Sequence, residues 1–241
     1  MIAARGLRKS FGRTTALDGA SLALPSGRVS VVLGPSGHGK TVLLKCLAGL
    51  LRPDAGCVDF DGRDVTDMGE RELYSFWKRV GFVFQESALI DSLTVEENLA
   101  LYWRVHGSLS RSALREKVAA VLDTVGLAGL GSGFPEELSG GMKKRVAVAR
   151  ALIKEPAYLL CDEPTSGIDR RNAGIMKDLL RRCGREGSTT LVVVTHDVQL
   201  AREMADHVVG LRKGRVLFEG GPAQLTEDRL DRLYEGVDNE R

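Results

Sequence analysis

The chain reads as an α/β protein with a parallel-sheet core, an N-terminal antiparallel β part and an inserted helical subdomain. Three observations predict this. The short apolar runs Arg28–Leu33, Tyr158–Cys161 and Thr190–Thr195 have the pattern of strands buried on both faces, as parallel sheets require. The first of them runs straight into a glycine-rich stretch and then a helix-like segment. Between about residues 87 and 150 the periodicity turns helical before apolar strands return. The 241 residues suffice for one domain, with a core at 1–86 and 151–241 and the helical subdomain between.

The elements follow in order. Ile2–Arg8 and Ala20–Leu24 read as strands. Thr41–Leu50 is predicted helical, since Leu43, Leu44, Leu47 and Leu51 recur at helical spacing and Pro53 lies beyond its end. Gly81–Gln85 is another short apolar strand. Val95–His106 and Ser110–Val125 are helix-like. Ser110 stands as an N-cap, and Leu114, Val118, Val121, Leu122 and Val125 share one face. Gly126–Gly133 ends the insert, and Gly141–Lys154 is again helical. A polar helix around Asn172–Glu186 separates the last two buried strands. Val208–Leu211 and Arg215–Phe218, joined by Arg212-Lys213-Gly214, read as a hairpin. From Thr226 the chain is charged and reads as a mobile surface helix.

Composition excludes several classes. The net charge of +2, from 34 basic and 32 acidic residues, argues against binding nucleic acid by phosphate neutralisation. No apolar run approaches the roughly 18–20 residues of a membrane helix. Arg5, Arg8 and Lys9 have no apolar stretch behind them, so the start does not read as a secretory signal. Cys46, Cys57, Cys161 and Cys183 form no CxxC pair and read as buried apolar residues of a reduced compartment. The expected address is cytoplasmic, with any membrane role exercised through a partner.

Gly34-Pro35-Ser36-Gly37-His38-Gly39-Lys40-Thr41 matches the phosphate-binding Walker A pattern. Successive backbone N–H groups can wrap a β-phosphate, and the helix after them adds its positive end. Lys40 is then the group that neutralises β/γ charge and Thr41 the hydroxyl that holds Mg²⁺. His38 occupies a variable position of the loop. Tyr158-Leu159-Leu160-Cys161-Asp162-Glu163 matches Walker B. An apolar strand ending in two carboxylates needs partners for both: Asp162 to help hold Mg²⁺, Glu163 to polarise an attacking water. Leu138-Ser139-Gly140-Gly141, followed by Lys143-Lys144-Arg145, has the form of an anion site at a helix N-terminus. Read alone, Ser139 is better taken as an ordinary N-cap. His196 follows a buried strand where polar groups emerge at a sheet's C-terminal edge. Gln85 ends another strand there, placed to meet Mg²⁺ or water. Phe11 can stack on adenine, though by itself it reads as a core phenylalanine.

Together these stretches resemble, over essentially the whole chain, the nucleotide-binding subunit of an ABC transporter. Phe11, Gly34–Thr41, Gln85, Leu138–Met142, Tyr158–Glu163, Ser166-Gly167-Ile168-Asp169 and His196 stand in that family's order. The resemblance implies a P-loop NTPase fold with a RecA-like core, ATP and Mg²⁺ as ligands, and two copies packed head to tail. Each ATP would then lie between one copy's Walker motifs and the other copy's Ser139, Gly140 and Gly141. It implies that Glu163 activates water, that His196 contacts the γ-phosphate, and that an integral-membrane permease holds the pair at the inner face of the membrane. Met142 replaces the usual glutamine, Ile168 replaces leucine, and Val42 stands where a second hydroxyl usually follows the Mg²⁺ ligand. None of these removes a catalytic group. The segment from Gln85 to Asn98 is similar to the "ALFDSL(T/S)VxENV" stretch of ATPases driving Mla/Mce-type lipid transporters, with Ile90 for the aromatic and Leu99 for valine. That similarity implies a lipid cargo, an Mce-domain lipid-binding protein and a small regulatory subunit at the C-terminal tail. An exporter of drug, polysaccharide or lipoprotein, or a soluble ABC ATPase outside transport, is the alternative.

Overall fold

The computed structural model describes residues 1–106, 109–185 and 189–235; Glu186 of the expected polar helix lies outside them. In chain order the strands are β1 (Ile2–Phe11), β2 (Thr14–Leu24), β3 (Val29–Leu33), β4 (Ala55–Phe60), β5 (Arg63–Asp64), β6 (Val80–Val83), β7 (Tyr158–Asp162), β8 (Thr190–Thr195), β9 (His207–Arg212) and β10 (Arg215–Gly220). The α-helices are α1 (Lys40–Leu47), α2 (Glu70–Trp77), α3 (Val95–His106), α4 (Arg111–Thr124), α5 (Gly140–Leu152), α6 (Arg170–Arg185), α7 (Val198–Met204) and α8 (Glu227–Tyr234).

One sheet has the order β2-β1-β4-β5 and is antiparallel; the other has the order β10-β9-β3-β8-β7-β6. In the second, β9, β3, β8, β7 and β6 run parallel, and β10 closes one edge as an antiparallel hairpin with β9. Its central strands are buried on both faces. Val29, Val31 and Leu33 of β3 enter one core, while Val32 enters the other. Leu191 and Val193 of β8 alternate with Val192 and Val194 in the same way. This two-residue alternation between two apolar layers is why these strands are unbroken apolar runs. The first core is completed by Leu99, Val121, Leu122, Val146 and Met176 from α3 to α6. The second is completed by Leu43, Leu44 and Leu47 of α1 with Ile2, Leu7 and Leu24 of the antiparallel sheet. Each such fully buried leucine contributes about 1.5–3 kcal/mol relative to exposure.

The structure departs from expectation in several places. β6 ends at Val83, so Gln85 lies two residues beyond the strand, exposed in the loop that follows. The two N-terminal strands are longer than their apolar cores, because β1 and β2 form one hairpin around Gly12-Arg13. The hairpin of β4 and β5 and the helices α2 and α7 went unread. Asp61-Gly62, both at positive φ (52° and 83°), is the Asp-Gly turn chemistry that signals such a hairpin. Asp197 announces α7 by accepting from the Leu200 amide at 3.0 Å. From Thr226 to Glu235 the chain is docked rather than mobile: Leu233 of α8 is fully buried, and the Arg212 guanidinium donates to the Arg232 and Glu235 carbonyls at 2.6 and 2.7 Å. Cys46 and Cys161 are buried, whereas Cys57 and Cys183 are only partly so.

Candidate functional site

The loop between β3 and α1 is held in place by close backbone approach. A Cβ at Gly34 would lie 2.1 Å from the Leu211 carbonyl oxygen, and one at Gly39 would lie 2.3 Å from that of Ala16. Gly39 also sits at φ 96°, where only glycine is unstrained, and stands at the N-cap position of α1. Gly34 and Pro35 are buried, and Ser36 and Gly37 are exposed. His38 is tied to the β9–β10 hairpin: the Gly214 amide donates to its carbonyl at 3.2 Å, and the Lys213 amide reaches its Nδ1 at 3.4 Å. Lys40 is buried, and its ammonium donates to the Gly34 and Pro35 carbonyls at 2.8 and 2.9 Å. Burial lowers its pKa, while Glu163 and Asp162 act in the opposite direction.

Asp162 ends β7 and is 2% exposed. The Thr41 hydroxyl donates to its Oδ1 at 2.9 Å. Burial raises the Asp162 pKa, and the Thr41 hydrogen bond opposes that rise. Glu163 follows at φ 44°, a left-handed backbone uncommon for a side chain of this size. Its Oε1 lies 3.3 Å from the Lys40 ammonium, and its Oε2 lies 3.0 Å from His196 Nδ1. His196 comes directly after β8, and the Tyr234 hydroxyl of α8 donates to its carbonyl at 3.0 Å. The structure therefore brings Lys40, Thr41, Asp162, Glu163 and His196 together at the C-terminal edge of the parallel sheet, where open α/β sheets bind ligands. Val42 follows on α1, partly buried against the second core.

Other predicted residues stand elsewhere. Phe11 is 51% exposed at the end of β1, with Lys9 Nζ 5.7 Å from its ring centroid. It is not a core phenylalanine. The hydroxyl of Ser139 accepts from the Met142 amide at 3.3 Å, so within this chain it is the N-cap of α5. Ser139 and Gly140 are exposed, whereas a Cβ at Gly141 would fall 2.5 Å from Asn172. The basic run after them is not a free anion cluster. Arg145 donates to the Val125 and Gly126 carbonyls, and Lys144 donates to the Glu163 carbonyl and the Ser166 hydroxyl. Tyr234 is a neighbour of the site that the sequence does not announce, and Lys144, expected in an anion site, instead serves the Glu163 carbonyl. Their partners are 38 and 19 residues away, beyond any local signal.

The chemistry of the donors can be stated. A glycine-built loop with a buried lysine suits a polyphosphate. A hydroxyl and a carboxylate side by side suit Mg²⁺, which takes hard oxygen ligands and keeps several waters. Glu163 and His196 form an adjacent acceptor and donor pair at the same edge.

The model of the ABC transporter family matches residues 17–166. The chain is 41% identical over 228 residues to the "probable ribonucleotide transport ATP-binding protein mkl" of Mycobacterium leprae, covering 94% of this chain and 66% of that one. It is 40% identical over 214 residues to the "methionine import ATP-binding protein MetN" of Rhizobium johnstonii, covering 89% of this chain. The chain thus spans 66% and 59% of these two relatives' lengths. Among solved structures it is similar to the ATP-binding cassette MJ0796, described as a dimer in a post-hydrolysis state bound to ADP and Pi. The TM-score is 0.84 at 32% identity, covering 92% of this chain and 99% of that one.

Proposed function

Given that this chain belongs to the ABC transporter family as an ATPase domain, we propose that it pairs with a second copy of itself and energises a membrane permease that moves lipid. The observation that carries the catalytic half is the position of the Glu163 carboxylate, between the Lys40 ammonium at 3.3 Å and His196 at 3.0 Å. ATP would lay its β- and γ-phosphates on the amides of Gly34 to Thr41, with Lys40 neutralising their charge. Thr41 and Asp162, with Gln85 reaching in from its loop, would hold Mg²⁺, which when bound offsets phosphate charge. Glu163 orients and deprotonates the attacking water, and His196 donates to the γ-phosphate. Phe11, exposed at a strand end, is free to stack on adenine. Ser139, Gly140 and Gly141 act on the nucleotide of the second copy. Supporting this, Ser139 and Gly140 face solvent, and a Cβ at Gly140 would meet nothing within 4 Å.

Glu163→Gln tests the reading. Turnover falls by about 10²–10⁴-fold, the usual loss for a missing general base. ATP then holds the variant as a dimer in light scattering. Turnover like wild type, or a dimer population indifferent to ATP, would sink it.

The lipid assignment rests on residues 85–98. Asn98, fully buried, shapes this loop: it accepts from the Ile90 amide at 2.8 Å and donates to the carbonyls of Ile90, Leu93 and Thr94 at 3.0–3.1 Å. Ile90 is left exposed on a surface suited to a permease. No helix among the described residues is long and apolar enough to cross a membrane, so the proposed place at the cytoplasmic face depends on that permease. An Mce-domain lipid-binding protein and a small regulatory subunit complete the proposed assembly. A second reading, in which the cargo is a small polar solute, is favoured by the names of the two relatives. Purification from the native membrane in gentle detergent, with mass spectrometry of proteins and lipids, separates them. An Mce-domain protein with bound phospholipid supports the first; a permease carrying neither supports the second.

A further inference from the structure

We propose that Lys144 is a positioning residue for hydrolysis: from helix α5 it fixes the Glu163 peptide, tying the carboxylate of one site to the helix whose N-terminus serves the other. The inference rests on the function proposed above. Glu163 is where strand geometry stops. Its amide still donates to the Val194 carbonyl at 2.9 Å, in line with the ladder of β7 and β8. Its φ of 44° then swings its own carbonyl out of that ladder. The displaced oxygen is met by three donors: the Ser166 amide at 3.1 Å, the Ser166 hydroxyl at 2.9 Å and the Lys144 ammonium at 3.1 Å. Lys144 also donates to the Ser166 hydroxyl at 3.0 Å, which locks the two together.

The strut is made in a partly buried place, where an ammonium must be well paired to be tolerated. Desolvation lowers the Lys144 pKa, opposed by the nearby Glu163, Glu86 and Asp162. A charged donor is thus committed to a backbone carbonyl, a hydrogen bond stronger than a neutral one. The other basic groups of α5 with carbonyl partners act elsewhere: Arg145 on Val125 and Gly126, Arg150 on Ser87 and Ala88. Lys144 is the one that reaches Glu163. Without it, relaxation of the peptide toward ordinary φ would rotate the carboxylate away from His196 and Lys40. The loop that binds phosphate would be untouched.

Steady-state hydrolysis by the full chain tests this with Lys144→Met, Lys144→Arg, Lys144→Gln and Glu163→Gln beside wild type. The expected result for Lys144→Met is a kcat about 10-fold lower with KM for ATP within about twofold, and Lys144→Arg recovers most of the loss. A Lys144→Met variant with wild-type kcat, or with KM raised and kcat unchanged, overturns the proposal while Glu163→Gln remains inactive. Wild-type turnover by Glu163→Gln overturns instead the underlying reading of Glu163. Should Lys144→Met fail to fold, Lys144→Gln, which keeps a polar side chain but removes the charged donor to the Glu163 carbonyl, decides: a lowered kcat at unchanged KM supports the strut, and unchanged kcat removes it.

Discussion

Lys154 carries its ammonium into a crowded place just beyond α5, where it donates to the Trp77 carbonyl at 2.7 Å and lies 5.6 Å from the Tyr102 ring centroid. Burial pushes its pKa down from 10.5 to about 8. The folded chain therefore holds this proton less tightly than the unfolded chain does. The cost of burying the charge is full below about pH 8 and fades as pH rises toward 10.5. Lys154→Met removes that gain. Denaturant unfolding at stepped pH should show wild-type stability rising relative to the variant across this window; parallel curves would contradict it. Residue identity alone carried part of the site. Asp162, Glu163 and His196 were legible because each ends or follows an apolar strand, and Lys40 because it belongs to the glycine-rich Gly34–Thr41 pattern. Phe11 was not, since nothing local distinguishes an exposed aromatic at a strand end from a core one.

At the scale of elements, α5 shows two adjacent glycines with different duties. A Cβ at Gly141 would press within 2.5 Å of the Asn172 side chain on α6, which is itself held by hydrogen bonds to Asp169. Gly141→Ala should therefore lower stability by about 1–3 kcal/mol, the usual cost of overpacking. Gly140→Ala meets open space and should leave the melting temperature unchanged while abolishing ATP-driven dimerisation. Calorimetry and light scattering on the two variants check both halves; a Gly140→Ala variant that still dimerises would remove this glycine from the shared site. Helices with one apolar face, α3 and α4, were legible because burial follows their periodicity and Ser110 caps α4 by accepting from Ala113 at 3.2 Å. Helix α2 packs Leu73, Phe76 and Trp77 on the second core, but at eight residues its periodicity spans barely two turns and is too short to stand out in the sequence. Strand β6 is four residues long, and the apolar Phe84 after it extends the run without extending the ladder.

At the scale of the whole molecule, a site shared between copies makes activity depend on their meeting. The specific activity of the free chain should rise with concentration across about two decades and then level off. A flat profile in light-scattering-verified monomer would be incompatible with the shared site. The sheet order was only partly legible, because which strands neighbour one another depends on crossovers between distant segments: β3 sits between β8 and β9, the last parallel strands of the chain. That central strand has a consequence for observation. Val31 and Val32 are consecutive residues, yet one belongs to the layer shared with α3 to α6 and the other to the layer shared with α1 and the antiparallel sheet. Isotope-labelled methyl groups on these two neighbours would act as separate listening posts, one on each side of a partition a single strand thick.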